Sequence, residues 1–117
     1  MGDTVFGVAV DSTDAATLAS FWAQVLGRQV ADGATAEHAV VPADADAAHG
    51  PRLAFHRVPE PKTSKNRLQD LIAADFDAET ARLLALGATR HNDFTQGGAR
   101  WSTFADIEGN EFDLIGG

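Results

Sequence analysis

A chain of 117 residues has the size of one domain and enough length to bury a core without staples. It has no cysteine, which excludes disulfides, thiolate metal sites and a cysteine nucleophile, and fits a reducing compartment. A formal charge of -8 repels phosphate backbones, so nucleic acid is not an expected partner, and no apolar run approaches the roughly 20 residues that span a bilayer.

The N-terminal residues MGDTVFGVAV lack a basic n-region, so no secretory signal is read there and the expected location is cytoplasmic. Abundant alanine, with arginine in excess of lysine, points to a GC-rich genome. Thr4 to Val10 reads as a first strand. Phe6, Val8 and Val10 face one way and Val5, Gly7 and Ala9 the other, so both faces are expected to be covered. Asp11-Ser12-Thr13-Asp14 is dense in helix N-cap residues. Leu18, Phe21, Trp22, Val25 and Leu26 then form one apolar helical stripe, which Gly27 ends. Gln29 to Ala31 reads as a short strand, Asp32-Gly33 as a turn and Ala36 to Val41 as another strand. Arg52 to Arg57 closes this half, with Leu53 and Phe55 alternating with Ala54 and His56. Pro59 and Pro61 stop that ladder, because proline donates no backbone hydrogen bond.

The second half repeats the plan. Leu68 to Ala74 is a strand, and Asp75 or Asp77 caps a helix with the stripe Phe76, Leu83 and Leu84. Leu86-Gly87 ends this helix as Leu26-Gly27 ends the first. Short strands follow at Ala88 to His91, Arg100 to Phe104 and Glu111 to Ile115, with turns at Gly97-Gly98 and Glu108-Gly109-Asn110. The reading is therefore α+β: two βαβββ repeats, 1–58 and 66–117, joined by the loop 59–65, with eight strands and two helices in one domain.

Phe21-Trp22-Ala23-Gln24-Val25-Leu26-Gly27, Arg57-Val58-Pro59-Glu60-Pro61-Lys62, Lys65-Asn66-Arg67 and Asp106-Ile107-Glu108-Gly109-Asn110-Glu111-Phe112 occur in that order. In this combination the chain resembles the vicinal oxygen chelate superfamily, in its glyoxalase, bleomycin resistance protein and dioxygenase branch. The resemblance implies a mixed eight-stranded sheet curled into a half-barrel cup around a pocket, with both helices on the outer face. It also implies, for the enzymes, a divalent metal held by His, Gln and Glu side chains on the first and last strands of each module. In this sequence those slots read Gly7, His56, Gln69 or Leu68, and Asp113. Glycine has no donor. Relatives carry a histidine after the Lys-Asn-Arg run, whereas this chain reads Leu68-Gln69-Asp70 and is one residue shorter. If Gln69 stays in the slot, the strand must bulge; under strict alternation Leu68 and Asp70 face the cup instead.

This thin donor set favours a protein that binds a small organic molecule without a metal cofactor, in a resistance or sequestration role. The alternative is a metal-dependent lyase, isomerase or dioxygenase. The ligand-binding residues expected are His56, Gln69, Arg100, Trp101 and Asp113. Trp101 is a stacking wall for a planar ligand if it faces the cup with Thr103, and core if it faces the helix. Arg100 can clamp a ligand carboxylate. Arg57, Lys62, Lys65 and Arg67 are read as a solvated basic loop paired with local acids such as Glu60 and Asp70. His38, His49 and His91 are expected to be exposed. No serine stands in a visible arrangement with a histidine and an acid, so no catalytic residue is assigned. Unpaired sheet edges give a motive for a homodimer.

Overall fold

The computed structural model describes residues 7–43, 51–58 and 67–116, the side chains of 67–70 and 72 excepted. The chain falls into two compact units, Met1–Pro61 and Lys62–Gly117. The first holds β1 (Gly7–Ser12), α1 (Ala15–Leu26), β2 (His38–Val41) and β3 (Arg52–Arg57); the second holds β4 (Arg67–Ala73), α2 (Phe76–Ala85), β5 (Thr89–Gln96), β6 (Ala99–Ala105) and β7 (Glu111–Gly116). The expected strand residues Thr4 to Phe6, the loop 59–65 and His49 lie outside the described residues.

In each unit the first strand pairs in parallel with the last, and the remaining strands follow antiparallel: β1-β3-β2 in one sheet and β4-β7-β6-β5 in the other. The described residues thus form seven strands in two sheets, not one sheet of eight. The missing strand is the expected Gln29 to Ala31. The Ala31 amide does donate to the Val40 carbonyl at 2.9 Å, the bond an edge strand beside β2 would make. Only four residues, Arg28 to Ala31, separate the helix cap Gly27 from the Asp32-Gly33 turn, where Gly33 has φ 89°, so the chain leaves before a ladder can form.

The helices start and stop as the sequence reading requires. Asp14 caps α1 by accepting from the Thr17 amide at 3.2 Å. Of the two candidates for α2 it is Asp75 that caps, accepting from Ala78 at 3.1 Å. At the far end Arg28 donates to the Ala23 carbonyl at 2.8 Å, and Ala88 donates to Leu83 at 3.1 Å. Both are six-residue closures around a left-handed glycine, Gly27 with φ 67° and Gly87 with φ 109°. The same Leu-Gly pair makes the same turn twice.

Each helix lies on one face of its own sheet. Leu18, Phe21, Trp22 and Val25 are buried with Val10, Ala39, Val41, Leu53 and Phe55. The ring of Phe21 meets Trp22 edge-on at 5.4 Å. In the second unit Phe76 and Leu83 are buried with Phe104, Phe112 and Leu114. Leu84, expected in the stripe, is 45% exposed: it follows Leu83 by one residue, a step of about 100° around the helix. The expectation that both faces of the first strand are covered also fails, since Val8 is 37% exposed and Ala9 is exposed. Strand β5 is twice the length expected. All eight of its residues are exposed, so no apolar alternation marked it. It is joined to β6 by Gly97-Gly98, with φ 59° and 85°, the two positive values a tight two-residue hairpin turn needs.

Candidate functional site

Strand pairing decides which way each candidate faces. In β6 and β7 the helix side holds Arg100, Ser102 and Phe104 opposite Gly116, Leu114 and Phe112. Phe76 of α2 packs so closely on Gly116 that an added Cβ would lie 2.7 Å from its ring. Phe104 and Phe112 stack at 5.7 Å. The Arg100 guanidinium sits 4.1 Å over the Phe76 ring and donates to Asp77 Oδ1 at 2.7 Å. Arg100 therefore stands on the helix side, engaged with α2. Beside it the Ser102 hydroxyl donates to Asp93 Oδ1 at 2.6 Å and accepts from Arg90 at 3.1 Å. That hydroxyl, and after it Arg90, holds the Asp93 carboxyl below the usual carboxylate range.

The opposite face carries Trp101 and Thr103 opposite Ile115 and Asp113. This resolves the alternative left open by the sequence: Trp101 faces away from α2. Phe94 of β5 is its cross-strand neighbour, and the two rings stack at 5.4 Å with planes 18° apart. Phe94 is 44% exposed, so the pair offers ring surface to solvent. One step along the strands, the buried Thr103 hydroxyl donates to Asp113 Oδ1 at 2.8 Å. An apolar row, Phe94, Trp101 and Ile115, thus lies beside a polar row, Asn92, Thr103 and Asp113. Phe94 was missed from sequence, and Thr103 was read only as sharing the face of Trp101. The alternation around Trp101 is mild, and only the register shows which residues of three strands share a face.

Strand β4 bears on Gln69. Arg67 pairs with Glu111 and Asp70 with Asp113, so three steps on β4 match two on β7, and one extra residue, Leu68 or Gln69, is accommodated between them. Of the two alternatives left by the shortened motif, β4 takes the bulge. The direction of the Gln69 side chain lies outside the described residues.

His56 belongs to the first unit. It is exposed on the sheet face opposite α1, with Asp11 on one side in β1 and His38 on the other in β2. Gly7, the first of the superfamily's metal slots, has no donor and no room for one: a Cβ there would lie 2.7 Å from the Arg52 carbonyl oxygen. Among the described residues no three His, Asp or Glu side chains are grouped to hold a metal ion. The described donors at the expected slots are one in each unit, His56 and Asp113, and they do not fit a chelating set by themselves.

The motif Asp106 to Phe112 has a structural use. Asp106 Oδ1 accepts from the Glu108 and Asn110 amides at 2.9 Å, and Asn110 Nδ2 donates to Oδ2 at 3.1 Å. The motif ties the β6–β7 turn. Arg57 pairs with Glu37 at 2.8 Å; Glu60 and the Asp70 side chain, its expected partners, lie outside the described residues. Lys62 and Lys65 lie outside the described residues.

A family model described as a glyoxalase-like domain matches residues 7–115. The chain belongs to this glyoxalase-like family, within the vicinal oxygen chelate superfamily. Among solved structures it is similar to a glyoxalase/bleomycin resistance protein/dioxygenase family enzyme from Burkholderia phytofirmans PsJN, with TM-score 0.74 and 16% identity over 97% of this chain and 98% of that one. It is similar to the fosfomycin resistance protein FosX from Mesorhizobium loti, with TM-score 0.69 and 16% identity over 100% of this chain and 94% of that one. It is similar also to lactoylglutathione lyase from Agrobacterium tumefaciens, with TM-score 0.68 and 14% identity over 99% and 95%. At these identities the likeness is one of fold. No curated protein matches the chain significantly. No helix among the described residues is long and apolar enough to cross a membrane.

Proposed function

We propose that this glyoxalase-like protein binds a small organic molecule on the face of its second sheet that turns away from α2, and that the binding needs no metal. The observation that carries this reading is the stacked pair Phe94–Trp101 beside the Thr103–Asp113 hydrogen bond. A planar, apolar part of a ligand stacks on the Phe94–Trp101 pair. A donor on the same ligand reaches the carboxylate, which Thr103 holds in one orientation. Such a site is largely apolar with a few fixed polar groups, as small-molecule sites are. A resistance role is one of those named among the structural relatives, in the fosfomycin resistance protein FosX.

A thermal-shift screen of planar amphiphiles, with bleomycin and fosfomycin included, tests the reading. A compound that raises Tm should do so equally in EDTA, and Trp101→Ala should weaken it at least tenfold. Failure of every compound, or full binding by Trp101→Ala, refutes the assignment. Stoichiometric metal on the purified protein, with turnover lost in both His56→Ala and Asp113→Ala, would establish the metal-dependent lyase, isomerase or dioxygenase instead. We also infer a homodimer from the strand edges that β1, β2, β4 and β5 present in their two sheets. Light scattering at micromolar concentration should give twice the chain mass, and a monomer mass would end that inference.

A further inference from the structure

We propose that His38 and His56 form a two-nitrogen site for a divalent transition ion of the zinc, nickel or copper class. The pair lies within the first unit and uses β2, a strand from which the superfamily draws no ligand. The two residues are directly opposite one another across the antiparallel β2–β3 pair. The Arg57 amide donates to the Glu37 carbonyl at 2.9 Å, which makes that pair the hydrogen-bonded one. Hydrogen-bonded and non-hydrogen-bonded pairs alternate, so His38–His56 is of the non-hydrogen-bonded kind, in which facing side chains stand closest. The rings are accordingly 4.9 Å apart between centres and tilted by 44°.

That separation is the one chelation requires. Two imidazoles on one tetrahedral ion, each with its nitrogen about 2 Å from the metal, have ring centres about 5 Å apart. Thr35 fixes the backbone of His38. Its hydroxyl accepts from the His38 amide at 3.2 Å, and its amide donates to the His38 carbonyl at 2.9 Å. Asp11 is the β1 neighbour of His56 on the same face, where a carboxylate can accept a hydrogen bond from the ring nitrogen not bound to the ion. Neutral imidazole suits borderline ions. Both histidines are exposed, so water completes the coordination and the ion exchanges freely.

The test is titration of the EDTA-stripped, dialysed full chain with zinc chloride by calorimetry, and with nickel chloride by NMR of the histidine Cε1–H signals. One zinc should bind per chain. Nickel should broaden the His38 and His56 signals and spare His91. His38→Ala and His56→Ala should each weaken zinc at least tenfold, while His91→Ala and Asp113→Asn bind like the parent. Wild-type affinity in His38→Ala, or no saturable zinc binding by the parent, overturns the proposal. Loss in His56→Ala and Asp113→Asn with His38→Ala unaffected also overturns it, because the ion would then sit in a superfamily-type set. The small-molecule reading is tested separately by Trp101→Ala, so either can fail alone.

Discussion

Asp113 and Asp93 are both carboxylates bonded to a hydroxyl across a strand pair, yet they stand on opposite sides of one sheet and do different work. Asp113 is 8% exposed and takes the Thr103 hydroxyl at 2.8 Å. Thr103→Val removes a donor from a buried charge and should cost about 1–3 kcal/mol in urea unfolding, with any ligand affinity reduced as well. An unchanged midpoint would show that the bond contributes nothing. Asp93 is exposed, and its carboxyl is depressed chiefly by the Ser102 hydroxyl. A carboxyl with a lowered folded pKa stabilises the fold above its unfolded value near 4, and this contribution is lost as pH falls through the lower folded value. Ser102→Ala should move the Asp93 titration, followed by NMR, back up toward the ordinary range. No movement would assign the shift to Arg90 and Arg100 instead.

At the level of elements, the two helix ends explain why a short motif is so informative. Leu26-Gly27 and Leu86-Gly87 each build a left-handed cap, and Asp106 to Asn110 builds a turn with its own side chains. These are folding devices, so they identify the family and say little about activity. They also give a graded prediction. Nothing lies within 4 Å of a Cβ added at Gly27, whereas one added at Gly87 meets Ile107 Cγ2 at 3.1 Å. Gly27→Ala should cost about 1–2 kcal/mol from backbone strain alone. Gly87→Ala should cost more. Thermal unfolding of the two variants orders them, and the reverse order would mean that Ile107 yields without cost.

For the molecule as a whole, the repeat is one plan executed with unequal completeness. The second unit closes its four strands, while in the first the chain between cap and turn is long enough for a single bond to β2. Trp22 is fully buried in the first unit, the largest side chain to be so. Trp22→Ala should cost about 3–5 kcal/mol and lower Tm markedly. A loss of less than 1 kcal/mol would show that the first unit's packing does not govern stability.

The sequence by itself determined the repeated order of elements, both helices with the left-handed glycines that end them, and the strand β3 from Arg52 to Arg57. These are local matters, set by capping, left-handed glycine and alternation within a single segment. Only the tertiary structure decided that Trp101 stands with Phe94 and Thr103 on one face, that Arg100 turns to Phe76 and Asp77, and that His38 meets His56. Each of those outcomes depends on how strands and helix are placed against one another, and that placement is fixed by residues elsewhere in the chain, which no local pattern specifies.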